Sequence, residues 1–138
     1  MAKININLND LPRVFDRAVQ EALAKTGKKL DQQFDTEVTS VIWPWDRGDT
    51  FRKNKDIASS PRDIVDLGDL RDSKSEPEKI DNYSLKWTWK VDYSAIVHNG
   101  GKFKDGTEYP KRPWTETAEK EVNIENYFAD ILRREIDG

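Results

Sequence analysis

The single histidine of the chain, His98, is the first residue to consider for catalysis, because the 138 residues include no cysteine. A Ser–His–Asp triad needs a serine within hydrogen-bond reach of an imidazole, as on the sharp turn of a nucleophile elbow. The sequence has no such elbow, and His98 stands just before Gly100 and Gly101. We therefore interpret His98 as a surface histidine or one beside a helix cap, and expect no catalytic residue.

Carboxylates are the other candidates for chemistry. Asp63, Asp66 and Asp69 recur every third residue near a glycine, whereas an EF-hand calcium loop places its oxygens at alternate positions and ends on a glutamate. We interpret the three aspartates as solvated charges in a turn. The glycine pair lacks the spacing and the Lys-Ser/Thr ending of a phosphate-binding loop. The sequence predicts no metal site and no cofactor.

Two segments combine aromatic and basic residues in a way that favours contacts with a partner. Trp43-Pro44-Trp45 follows a predicted helix, and its tryptophans either fill the margin of the core or anchor a partner. Residues 102–112 place four bases and two acids around two aromatic residues, a pattern typical of a solvated loop or of single-strand binding. The predicted interface residues are Trp43, Trp45, Arg47, Phe51, Arg52, Lys102, Phe103, Lys104, Tyr109, Lys111 and Arg112. We treat the tripeptide Arg47-Gly48-Asp49 as chance.

Composition limits the classes of function. The chain has 23 basic and 26 acidic residues, a formal charge of -3, which argues against a dedicated nucleic-acid binder. The first residues do not resemble a signal peptide, and no apolar run reaches the roughly 18 residues of a membrane span. We expect a soluble domain over residues 1–138, made in a reducing cytoplasm, with no membrane partner.

The elements that position these residues follow from apolar spacing. Residues 4–8 alternate as in a short strand or extended arm, and apolar residues at spacings of three and four then predict a helix that begins near Asn9 or Asp10 and ends near Ile42. Gly27 is a point at which this helix can bend or split. A long loop follows over about residues 43–62, and Ile64-Val65 is expected to form a brief element.

The second half of the chain predicts a small sheet and two helices. Leu70–Ser75 is expected to begin a strand, and period-two alternation over Tyr83–Val91 predicts a half-buried antiparallel strand. A short helix over Tyr93–Asn99 should end at Gly100-Gly101, followed by a loop with a turn at Gly106. A last helix begins near Trp114. The predicted class is α+β: a small antiparallel β-sheet packed by a long N-terminal helix and a C-terminal helix.

Three stretches, in this order, resemble the tail-completion, or head–tail joining, family of long-tailed bacteriophages. They are the Asp-Leu-Gly-Asp-Leu-Arg-Asp-Ser run at 66–73, the Val-Asp-Tyr-Ser-Ala-Ile-Val-His-Asn-Gly run at 91–100, and Lys111-Arg112-Pro113-Trp114 with Ala118 after it. The likeness covers roughly residues 10–136. The chain departs from the family pattern at His98, where an acid is common, at the inserted Ser94, and at Trp114, where phenylalanine is usual.

The resemblance implies a structural virion protein that forms a ring, typically hexameric, at the head-proximal end of the tail. Such a ring terminates the tail tube, joins it to the head connector or adaptor proteins, and lets the genome DNA pass through its lumen without sequence-specific binding. No cofactor is implied. Other possibilities are a head-completion adaptor or stopper, a minor tail protein, a small nucleic-acid-binding module and a small hydrolase. Oligomer mass and salt-dependent DNA binding distinguish among them.

Overall fold

The computed structural model describes residues 2–5, 15–43, 45, 50–51, 57–58, 60–64, 69–102, 106 and 108–137. Its elements, in chain order, are β1 (Ala2–Asn5), α1 (Asp16–Thr39), β2 (Thr50–Phe51), β3 (Ile57–Ala58), α2 (Asp69–Asp72), β4 (Glu78–Asp81), β5 (Ser84–Trp87), α3 (Ser94–Asn99), β6 (Gly101–Lys102), β7 (Glu108–Tyr109), α4 (Trp114–Val122) and α5 (Ile124–Asp137). The α+β class is confirmed: a small antiparallel sheet packs against a long N-terminal helix and C-terminal helices.

The long helix α1 supplies one wall of the core. Its apolar residues at spacings of three and four are buried, as the sequence predicted. The helix passes through Gly27 without a break. A neighbouring strand packs close beside this glycine: a Cβ there would lie 2.5 Å from Leu85 Cδ1. The helix ends at Thr39, not near Ile42, because Ser40 turns to extended backbone and its N–H donates to the Thr36 carbonyl. The predicted start at Asn9 or Asp10 lies outside the described residues.

The main sheet has three antiparallel strands in the order β1-β5-β4. Its register pairs Ile4 with Leu85 and Glu78 with Lys86. The predicted strand over Tyr83–Val91 is shorter than expected, since β5 ends at Trp87, but the alternation continues to Trp89, which bridges to Lys74. The inward face of this stretch is confirmed by buried Leu85, Trp87 and Trp89. Ser84, predicted on the solvent face, is also buried.

Four expectations about the remaining segments need correction. The segment Leu70–Ser75 does not begin a strand: Asp69–Asp72 forms the helical turn α2, closed by the Ser73 N–H on the Asp69 carbonyl. The long loop contains the two-stranded pair β2-β3. Ile64 belongs to no helix or strand, although its N–H donates to the Val38 carbonyl, and Val65 is not described.

The last helix is two helices, and this is the fourth correction. Asn123 has a φ of 54°, in the left-handed region that asparagine tolerates better than most residues, and it separates α4 from α5. The expected helix near Tyr93–Asn99 is confirmed as α3, which ends at Gly100 with a φ of 72°. The turn at Gly106, with a φ of 86°, is confirmed as well.

Aromatic rings join the layers of the core. The Phe34 ring of α1 meets Trp87 and Trp89 edge-on, with centroids 5.2 Å apart in both pairs. Trp89 in turn meets Trp114, at the start of α4, at 5.5 Å. Edge-to-face pairs of this kind add about 0.5–1.5 kcal/mol each beyond the area they bury. The sheet, α1 and α4 therefore share one aromatic core.

Candidate assembly surfaces

Two of the three stretches that carry the family resemblance meet in space. The Arg112 N–H donates to the His98 carbonyl at 3.1 Å, and the His98 ring meets the Trp114 ring edge-on at 4.8 Å. The third stretch contributes Leu70, which is buried in the same hydrophobic core as Trp114. We call the contact among Arg112, His98, Trp114 and Thr115 the motif junction. It fixes the position of α3 against the start of α4.

The hydrogen bonds of His98 use both ring nitrogens. Nδ1 lies 2.6 Å from Asn99 Oδ1, and Nε2 lies 2.6 Å from Thr115 Oγ1. A neutral imidazole protonated at Nδ1 satisfies both, because it donates to the amide oxygen and accepts from the hydroxyl. The hydroxyl of Thr115, the imidazole of His98 and the amide of Asn99 are linked by hydrogen bonds. Their distances match those of a nucleophile, a general base and the group that orients the base. Thr115 is buried, however, with 6% of its surface exposed. We therefore interpret this set as a connection between α3 and α4.

The two tryptophans predicted as core or anchor residues are both buried within the subunit. Trp43 has 6% of its surface exposed, and its Nε1–H donates to the Glu37 carbonyl at 2.8 Å. Trp45 packs against two guanidinium groups, with Arg62 Cζ 4.5 Å and Arg112 Cζ 5.5 Å from its ring centroid. We call these three residues the arginine–tryptophan stack. It connects the long loop to the motif junction through Arg112.

The other predicted interface residues are more scattered. Lys102 and Lys111 are exposed, and Lys111 Nζ lies 3.9 Å from Glu116 Oε2. Phe51 belongs to β2 and Tyr109 to β7. The predicted residues Arg47, Arg52, Phe103 and Lys104 lie outside the described residues. The structure therefore brings Trp45 and Arg112 together, and it places Lys102 and Tyr109 on the paired strands β6 and β7.

The open margin of the main sheet is a surface that sequence patterning did not single out. All four residues of β4 are exposed, including Ile80 at 48%. In the described part of the chain, β4 pairs with β5 on one side and with no strand on the other. An unpaired strand presents a row of backbone donors and acceptors, which a further strand can pair with. Such pairing would extend the sheet beyond one subunit.

A basic groove between α1 and α5 also escaped the sequence analysis. Its residues are Lys25, Lys28, Lys29, Gln32, Tyr127, Ile131, Arg134 and Glu135, and its volume is about 330 Å³. Lys25 Nζ lies 2.7 Å from Glu135 Oε1, and this hydrogen bond, together with the charge of Glu135, raises the pKa of Lys25. Lys28 and Lys29 lie three and four positions after Lys25, and Gln32 lies four and three positions after them, so the α1 residues share one helix face. That spacing was the signal available in the sequence.

A pair of acidic side chains lies on α4. Glu116 is exposed and Glu119 is half-buried. Burial of the carboxyl, followed by the charge of Glu116, raises the pKa of Glu119. Both effects disfavour the charged form of Glu119. We call Glu116 and Glu119 the acidic pair. A cation placed beside this pair would lower the free-energy cost of ionising both carboxyl groups.

Within the described residues, no three histidine, aspartate or glutamate side chains are arranged to hold a metal ion. None of the helices described here has the length and apolar character that crossing a membrane requires. Comparison with known proteins found no match to any family model, any curated protein or any solved structure.

Proposed function

We propose that this chain is a structural virion protein of a tailed bacteriophage. Copies of it form a ring at the head–tail junction, typically a hexamer, that terminates the tail tube and joins it to the head connector. The genome DNA passes through the lumen. The proposal rests on the three resembling stretches, two of which contact each other in the motif junction while the third packs into the same core.

The exposed strand β4 is the observation that carries the assembly part of the proposal. The sheet order β1-β5-β4 places β4 at one margin and β1 at the other. If β4 of one copy pairs with β1 of the next, the two contacting surfaces differ, and the contact repeats around a closed ring. Function then depends on the fit between copies.

Deleting the long loop or residues 102–112 would be too coarse a test of the interface residues predicted there. Trp45 and Ala58 of the long loop are buried, and Arg112 of the second segment is buried too. Deleting either segment would therefore remove part of the folded subunit along with any interface. Single changes at exposed positions separate the two effects.

Sedimentation velocity and electron microscopy of the purified chain, alone and with tail tubes, test the proposal. We expect rings, or capping of tubes by a fixed number of copies. Ile80→Lys places a charge on β4 and should abolish rings while leaving the subunit folded. Val41→Lys, at a more exposed apolar residue beyond the end of α1, serves as the control. A protein that stays monomeric alone and on tubes would contradict the proposal.

The position of the protein in particles is the second part of the test. Antibody labelling of purified virions should mark the head–tail junction. Labelling of the head side alone would indicate a head-completion adaptor or stopper, and labelling along the tail would indicate a minor tail protein. No labelling of particles would contradict a virion role altogether.

A further inference from the structure

We infer that the basic groove between α1 and α5 receives the acidic pair of α4 from a second copy of this chain. The inference rests on the proposed function, because it names one contact through which copies associate. It differs from the β4 contact in the residues it uses. Each copy carries both surfaces, so the contact can repeat from copy to copy.

The groove carries an excess of positive charge that the subunit itself does not balance. Lys25 is neutralised by Glu135. Within the described residues, Lys28, Lys29 and Arg134 have no carboxylate at ion-pair distance. All three are exposed. The groove therefore offers three cations to a partner.

The acidic pair has the opposite imbalance. Glu116 Oε2 lies 3.9 Å from Lys111 Nζ, which is a long ion pair between two exposed side chains. Glu119 has no ion-pair partner among the described residues. Glu121 and Glu125 are exposed further along, and the exposed Lys120 offsets part of this charge. The two carboxylates are close enough to affect each other, and both Lys28 and Lys29 line the groove that would receive them.

The acidic pair belongs to α4, whereas the residues that line the groove come only from α1 and α5. The pairing therefore requires two chains. Charge complementarity of this kind contributes orientation and rate of association more than bulk affinity. It would fix which copies can pair and how they are oriented.

A protein partner fits the groove better than a nucleic acid does. The chain has a net charge of -3, which does not favour the binding of a long polyanion. The groove is also lined by Tyr127 and the buried Ile131, which suit the apolar stem of a glutamate side chain. A second copy supplies both the carboxylates and the stems.

Paired charge reversal tests the inference. Lys28→Glu with Lys29→Glu reverses the groove, and Glu116→Lys with Glu119→Lys reverses the acidic pair. Each variant alone should weaken association, measured by sedimentation velocity, by about tenfold or more, and an equimolar mixture of the two should recover most of it. Lys28→Gln with Lys29→Gln should give a smaller loss in the same direction. Circular dichroism checks that every variant is folded.

The control variant is Arg17→Glu with Lys90→Glu, which changes the net charge equally at two exposed basic residues outside the groove. Equal loss in this control would overturn the inference, since it would show an effect of net charge alone. If wild type assembles and the reversals change nothing, the inference fails while the proposed function stands. If wild type never assembles, both fail. A last outcome concerns DNA. If the protein binds random-sequence duplex DNA, and the groove reversal abolishes that binding without changing self-association, the groove binds nucleic acid and the inference is overturned.

Discussion

Trp45 is the residue at which the two sequence interpretations, core or anchor, diverge most clearly. It is buried, and its ring contacts the guanidinium groups of Arg62 and Arg112 of the same chain. Truncation of a buried tryptophan removes contacts and leaves a cavity, so Trp45→Ala should lower the free energy of unfolding by about 3 kcal/mol or more. Trp45→Phe keeps a ring for the guanidinium groups and should lose less. Urea unfolding of the monomer measures both, and unchanged stability with impaired assembly would favour the anchor interpretation.

Gly27 lies where α1 packs too closely against a neighbouring side chain to accommodate a larger residue. Gly27→Val should destabilise the fold by about 1–3 kcal/mol, because the added side chain meets Leu85 in a filled core. Helix propensity alone predicts the opposite sign, since glycine is the poorer helix former. Thermal unfolding separates the two effects. In a Leu85→Ala background the loss should shrink, and a loss of the same size in both backgrounds would count against the steric explanation.

Glu119 predicts a pH dependence with a definite sign. Its pKa is raised in the folded state, by burial and then by Glu116, so the folded protein binds the proton more tightly than the unfolded chain does. Stability from this group is therefore present at low pH and is lost as the pH rises through the folded pKa. Glu119→Gln should stabilise the protein at about pH 7 and make little difference at about pH 3. Unfolding curves at both pH values check this, and a stabilisation of equal size at both would refute it.

At the scale of elements, Lys74 joins α1 to the segment before β4. Its ammonium group, with 10% of the side chain exposed, lies 3.0 Å from Asp31 Oδ1 and 2.9 Å from Asp35 Oδ2. Asp31 Oδ1 also accepts the Trp87 Nε1–H at 2.9 Å. A change at Lys74 therefore affects the contact of α1 with both the segment and the sheet.

We expect Lys74→Met to lower the free energy of unfolding by about 1–3 kcal/mol, because two neighbouring carboxylates lose their shared cation. Lys111→Met is the matched control: its ion pair with Glu116 is long and exposed, so the change should stay within about 0.5 kcal/mol. Chemical denaturation of both variants compares them directly. Equal losses would mean that the buried position of Lys74 makes no difference.

The same elements show how far the sequence can predict this fold. Apolar spacing predicted α1, because its regular pattern coincides with regular burial. The end of α3 was predicted from Gly100-Gly101 and the start of α4 from Pro113. Leu70–Ser75 was predicted as a strand, because four residues are too few to show a helical period. Asn123 was missed because a left-handed residue within an amphipathic stretch leaves the apolar spacing almost unchanged.

The candidate surfaces were harder to predict than the elements. The interface residues were chosen for aromatic and basic character, and Trp43, Trp45 and Arg112 turned out to be buried. Composition cannot tell a buried arginine that faces a tryptophan from one that faces a partner. The groove depends on a contact between α1 and α5 that joins residues about a hundred positions apart. Its α1 half was visible as spaced lysines, but Arg134 could be added only from the structure.

At the scale of the whole molecule, the proposed contacts use two separate parts of one subunit. Strand β4 lies at the margin of the sheet, and the groove residues lie on α1 and α5, with no residue common to both. Contacts that share no residues and lie far apart contribute nearly additively. If copies associate through both contacts, the loss of each contact should weaken association by its own factor.

Combining the two kinds of variant tests this arrangement. Ile80→Lys together with Lys28→Glu and Lys29→Glu should weaken association by about the product of the separate effects. The separate and combined variants are compared by sedimentation velocity at one salt concentration, and again at higher salt. Added salt should weaken the part of association that the groove provides, because exposed charges are screened. A combined variant no weaker than the Ile80→Lys protein would mean that copies meet through the sheet alone.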